Sequence, residues 1–157
     1  MSAVISRAIA AKTQVSAVVH GTLSQISWLS DAPLTEAILF ETIPYENSIG
    51  VAELTADEIR AIIDEQLKHR KSYVFNGIWG INVVIDPAQQ RTVSVLLGDS
   101  PDAADGRVSV AFNSWVIAGG GGRFPILRRI LRRSATRLRD TELQTRDIVR
   151  DSMTNLG

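Results

Sequence analysis

The chain has 157 residues, 45% hydrophobic and 22% charged, with 17 basic and 17 acidic side chains, two histidines and no cysteine. This length makes a single domain the expectation and is enough to bury a core. Balanced charge gives no global pull towards nucleic acid, the lack of cysteine excludes a disulfide framework or a thiolate site, and no stretch is long enough for a membrane span.

The chain opens with "SAVISRAIAAK", which sets Val4, Ile5, Ala8 and Ile9 at helical spacing. The same segment lacks the long apolar run and cleavage pattern of a signal peptide. "VSAVV" reads as a short buried strand, and residues 21–33, with Gly, Ser, Asp and Pro, as a loop. "TEAILFET" predicts a short helix stopped by Pro44. "SIGVAEL" is the next strand. "TADEIRAIIDEQLKHRK" carries the strongest helix signal. Thr55 is the N-cap and Glu58 completes a capping box, worth about 1 kcal/mol. Ile59, Ile62, Ile63 and Leu67 form its apolar face. Asp57 and Glu58 at its start and Lys68, Arg70 and Lys71 at its end suit the helix dipole. Alternation in "GINVVID", "TVSVLL" and "RVSVAF" predicts strands that all lie in one mixed sheet, with "GDSPDAADG" joining the second to the third. A last helix is expected from Thr141, with Gln144 at its capping-box position and Ile148, Val149 and Met153 inward. Helices and strands mix without strict βαβ alternation. The fold class is therefore α+β, a mixed sheet packed with helices in one domain over residues 1–157.

"NSWVIAGGGGRFPILRRI", residues 113–130, is the most unusual stretch. Gly119 to Gly122 can take dihedrals closed to other residues, and a ligand can approach their main chain without meeting a Cβ. The run is not a phosphate-cradling P-loop, because Gly-Arg-Phe-Pro stands where Gly-Lys-Ser/Thr is needed. No second strand with an acidic end follows, so the dinucleotide fingerprint fails too. "GDS" at 98–100 lacks a later histidine base for a serine nucleophile. His20 and His69 have no zinc spacing, and no carboxylates have calcium-loop spacing. His69, among Lys and Arg, reads as solvated. Trp28, Trp79 and Trp115 read as core or loop anchors. Arg123, Arg128, Arg129, Arg132, Arg133, Arg137 and Arg139 read as a solvated face or as a surface for an anionic partner. None of this amounts to a catalytic apparatus.

Four stretches in order resemble one known family. "TEAILFETIPYENSIGVAELTADEIRAII" is similar to the "T-x-x-D-L-x-E-x-L-P-F-x-N-T-L-x-x-x-E-L-T-G" stretch of the C-terminal domain of 5'-nucleotidases. "GINVVIDPAQQRTVSVLLGDSPDAADGRVSVAFNSWVIAGGGGRF" resembles that domain's next half, which ends in "N-x-(F/Y)-L-A-x-G-G-D-G-F". "LRDTELQTRDIVRDSM" is similar to its closing helix, and the opening helix with "VSAVVHG" matches its start. The resemblance covers essentially the whole chain.

The resemblance implies a domain that binds the base and sugar of a nucleotide, while a separate metallophosphatase domain, in cis or in trans, holds two divalent metals and performs hydrolysis. No cofactor is expected in this chain, which alone is expected to be inactive. Tyr45 corresponds to the first stacking aromatic. The second falls on Arg123, or on Phe124 after a one-residue slip. Asn47, Asn113 and the loop Gly119, Gly120, Gly121 and Gly122 complete the implied substrate set. The family's acidic residue in "G-G-D-G-F" is Gly121 here, and Gln25 falls near the position of the family's phosphate-binding arginine. Both departures remove charge-assisted contacts. The partners implied are a nucleotide or nucleoside and the catalytic domain, with no nucleic acid or membrane. An alternative is an interaction module that kept the fold and binds an anionic partner through the arginine-rich segment. Export or a periplasmic location is implied if the chain is part of a full-length family enzyme, and a cytoplasmic one if Met1 is native.

Overall fold

A computed structural model of the chain describes residues 2–21, 35–72, 74–97 and 106–154. Gln25, Trp28, "GDS" and most of the two loops expected at 21–33 and 98–106 lie outside the described residues. The elements are α1 (Ser2–Thr13), β1 (Ala17–Gly21), α2 (Glu36–Thr42), β2 (Ser48–Thr55), α3 (Ala56–Leu67), β3 (Asn76–Trp79), β4 (Asn82–Asp86), β5 (Arg91–Leu96), β6 (Arg107–Asn113), α4 (Ser114–Ile117), α5 (Pro125–Leu131), β7 (Arg139–Gln144) and α6 (Thr145–Thr154).

The main sheet has five strands in the order β3-β1-β6-β2-β7. β1 runs parallel to β6, and the other pairs are antiparallel. Period-two alternation divides the core between the two sheet faces. Val19, Leu54, Val110 and Phe112 point to one side, where α3 and α5 pack. Val18, Val51 and Ala111 point to the other, against α1, α2 and α6. The chain is thus α+β, as its sequence implied. The capping box forms: Glu58 N–H donates to Thr55 Oγ1 at 3.2 Å, and Thr55 N–H to Glu58 Oε2 at 3.0 Å. Ile59, Ile62, Ile63 and Leu67 are all buried.

The structure corrects two expectations. "GINVVID" and "TVSVLL" do not join the mixed sheet; among the described residues β4 and β5 pair only with each other. The edge beside β1 is taken by β3, which the sequence reading did not pick out. The hairpin instead lays Ile81, Val83, Val95 and Leu97 against the α3 side of the core. Its Thr92 N–H donates to Asp64 on α3. The last helix also starts later than Thr141. Residues Arg139–Gln144 form β7 against β2, and the Thr141 hydroxyl donates to the Ile49 carbonyl at 2.6 Å instead of capping a helix. The helix begins at Thr145.

One buried carboxylate joins two helices across the core. Glu65 on α3 is 2% exposed. It accepts the N–H groups of Ile126 at 2.7 Å and Leu127 at 2.9 Å, at the start of α5. Pro125 has no N–H to satisfy, and Phe124 offers no side-chain cap. Glu65 therefore supplies from another helix the acceptor that the helix start needs. Glu65→Ala is expected to cost roughly 2–4 kcal/mol, since hydrogen bonds to a charged group contribute about 1.5–3 kcal/mol each and the Leu127 amide stays buried. Glu65→Gln keeps one acceptor oxygen and should cost less. Urea denaturation of the two variants checks both the size and the order.

Candidate functional site

β2 and β6 pair antiparallel with Ile49 opposite Asn113, so the start of one strand meets the end of the other. Two of the sequence-predicted segments are brought together this way. The Ser114 hydroxyl donates to Asn47 Oδ1 at 3.2 Å. The Asn47 carbonyl in turn accepts from both the N–H and the hydroxyl of Thr145, each at 3.0 Å. Asn113 is 2% exposed, and its side chain accepts the Val116 N–H at 2.8 Å. Asn113 is thus the N-cap of α4, and its acceptor oxygen is used inside the protein.

The glycine run is a built turn. Gly119, Gly120, Gly121 and Gly122 have φ of +94°, +56°, +65° and +87°. Such angles are open to glycine and strained for other residues. Gly120 N–H donates to Trp115 O at 3.0 Å, and Gly122 and Phe124 N–H both donate to Gly119 O at 3.0 Å. The turn reverses the chain between α4 and α5. A Cβ at Gly120 would lie 2.3 Å from the Phe124 ring, whereas one at Gly122 would meet nothing within 4 Å. Gly119 and Gly120 are therefore packed inward, and Gly121 and Gly122 face solvent.

The ring assignments divide on burial. Phe124 is fully buried, edge-on to Trp115 with ring centres 5.8 Å apart and to His69 at 5.5 Å. It is a core residue and offers no face to a ligand. His69 is correspondingly half-buried against that ring, not solvated as its charged neighbours suggested. Arg123 is exposed, and its Nη1 donates to Gly120 O at 3.1 Å, which holds the guanidinium over the turn. Tyr45 is 69% exposed. Trp115, read from sequence as an anchor, is 37% exposed and directly follows the serine that bonds Asn47. The signal that could have found it is its place two residues after the capping asparagine. Trp79 is half-buried and packs against the α1 side of the core.

His20 on β1 is buried 2.7 Å (Nδ1) from the Gly21 carbonyl oxygen, and desolvation holds its pKa below the ordinary imidazole value. Among the described residues no group of three or more His, Asp or Glu could hold a metal ion. Among the described residues no helix is long and apolar enough to cross a membrane.

With this geometry in place, comparison with known proteins identifies the chain. A family model described as the 5'-nucleotidase C-terminal domain matches residues 2–129, and the chain belongs to that domain family. No curated protein matches it. Among solved structures, a 5'-nucleotidase precursor from Thermus thermophilus is similar with a TM-score of 0.78 at 19% identity, over 99% of this chain and 32% of that one. The NAD nucleotidase of Haemophilus influenzae is similar with a TM-score of 0.72 at 15% identity, over 98% of this chain and 29% of that one. The chain thus spans about a third of the length of these structures, and the likeness is one of fold.

The turn's geometry predicts unequal costs for two alanine substitutions. Gly122→Ala should lose roughly 1–2 kcal/mol, the cost of a left-handed residue alone. Gly120→Ala should lose about 2–5 kcal/mol, because it adds a clash with the buried Phe124 ring. Thermal unfolding of the two variants measures the difference.

Proposed function

We propose that this domain recognises the nucleoside part of a nucleotide for a phosphohydrolase of the 5'-nucleotidase or 2',3'-cyclic phosphodiesterase kind. Hydrolysis is assigned to a metal-bearing catalytic domain outside these residues, acting in cis or in trans. The observation that carries the reading is the hydrogen bond between Ser114 and Asn47. It ties the segment bearing the exposed Tyr45 to the segment bearing the exposed Trp115. Two aromatic faces on adjoining segments suit a planar base, and stacking contributes roughly 1–3 kcal/mol per base. The burial of Phe124 favours Arg123 as the third planar group, since a guanidinium can stack as well as donate. Membership of the domain family supports the same ligand class.

The acidic residue of the family's glycine motif is Gly121 here, and Gln25 falls near the position of the family's phosphate-binding arginine. Losing two charge-assisted contacts of about 1.5–3 kcal/mol each weakens binding by roughly two to four powers of ten. Millimolar affinity for adenosine or AMP follows. Adenosine titrated into the 15N-labelled chain should move the amides of residues 45–47, 113–115 and 119–123. Tyr45→Ala and Trp115→Ala should each weaken the response severalfold. Shifts that stay absent at tens of millimolar adenosine would sink the nucleoside reading.

A further inference from the structure

A second polar surface adjoins the Asn47–Ser114 contact, with Ser48 and Ser114 among its lining residues. α4, α5, β7 and the start of β2 border a half-open pocket of about 390 Å³. Arg128, Arg132 and Arg139 line it, over an apolar wall of Ile117, Leu131 and Leu138. Among the neighbouring arginines, Arg107 and Arg133 share the one carboxylate of Glu58, and Arg137 pairs with Glu53 at 2.7 Å. Among the described residues Arg128, Arg132 and Arg139 have no carboxylate partner in an ion pair. The pocket's one acid, Asp140, accepts from the Ser48 hydroxyl at 3.4 Å and from the Glu142 N–H at 2.9 Å. A surplus of positive charge is left around an apolar wall.

Local contacts hold the backbone that carries part of this lining. Arg137 and Glu142 have φ of +47° and +61°, so the segment carrying Leu138, Arg139 and Asp140 is bracketed by two left-handed non-glycine residues. Arg137 is the left-handed C-cap of the turn Ser134–Thr136, and such residues persist where surrounding contacts hold them. The Arg137–Glu53 pair and the Asp140 turn are those contacts here. The stem of Arg128 lies over Gly119, where a Cβ would come within 3.0 Å of its Cδ. The glycine turn thus leaves room for an arginine to reach this pocket.

We propose that this pocket binds a phosphate monoester with a compact apolar body, its phosphate on Arg128, Arg132 and Arg139 and its body against Ile117, Leu131 and Leu138. A phosphate monoester carries about −1.5 to −2 charge near neutral pH, which matches the surplus, and arginine binds phosphate through paired N–H groups. The pocket shares Ser114 with the Asn47 contact but uses neither Tyr45, Trp115 nor Arg123, so this inference does not require a base stacked on those groups.

Phenyl phosphate titrated into the 157-residue chain tests it, with amide shifts as the readout. Shifts should centre on residues 117–118, 128–132 and 138–140. Inorganic phosphate, which lacks the apolar body, should bind at least tenfold more weakly. The double substitution Arg132→Gln with Arg139→Gln should weaken phenyl phosphate at least tenfold, and the single Arg139→Gln severalfold, in proteins whose spectra remain dispersed. Tyr45→Ala should leave this binding unchanged, which separates its failure from that of the nucleoside site. Wild-type affinity in the double variant, equal affinity for inorganic phosphate, shifts confined to residues 45–47, or binding of an acidic peptide in place of phenyl phosphate would each overturn the proposal.

Discussion

The contact between Glu65 and the first amides of α5 sets the form of everything around the glycine turn. A carboxylate buried to 2% exposure is costly unless its oxygens are used, and here both are, by Ile126 and Leu127. That arrangement fixes where α5 begins relative to α3. With α5 fixed, Phe124 is drawn into the core between His69 and Trp115, and the chain has only Gly119–Arg123 in which to turn back from α4. The turn closes because four residues in succession can take positive φ. The glycines therefore answer a packing demand first. The exposure of Arg123 and Trp115 beside the turn is a consequence.

The same chain of constraints separates two surfaces. The Asn47–Ser114 bond ties the segment bearing Tyr45 to the segment bearing Trp115, and Ser114 also lines the neighbouring arginine pocket. There Arg128 runs over Gly119 towards Arg132 and Arg139. Both surfaces rest on elements anchored in the sheet, since β2 and β6 pair along seven residue positions from Ile49 to Thr55. A ligand on either surface meets side chains positioned by strand ends and short helices, which favours pre-organised recognition.

What could be read from the sequence follows the range of the physics involved. The capping box at Thr55 and the apolar stripe Ile59–Leu67 are local, and both stand as expected. The alternation in β6 is local too, and its inward residues are correct. Which strand joins which sheet is not local: "GINVVID" and "TVSVLL" have the right period but dock on α3 instead of at the sheet edge. Thr141 looked like a helix cap, but its hydroxyl serves Ile49, 92 residues away in sequence. At the site, the ordered motifs brought Asn47, Asn113 and the glycines to notice. Burial separates the core residue Phe124 from the exposed Arg123, and exposure brought out Trp115. The Glu65 latch had no sequence signature, because its partners lie 61 and 62 residues further on.

The central claim is that the glycine turn is a rigid wall held by Glu65 and not a flexible flap. Native-state hydrogen exchange at the amides of Gly120, Phe124, Ile126 and Leu127 tests it most directly. The account predicts protection close to that of β2 and β6 in the wild-type chain, and a selective loss of protection at these amides in Glu65→Gln. Exchange at these positions near the rate of an unstructured chain in the wild type would contradict it.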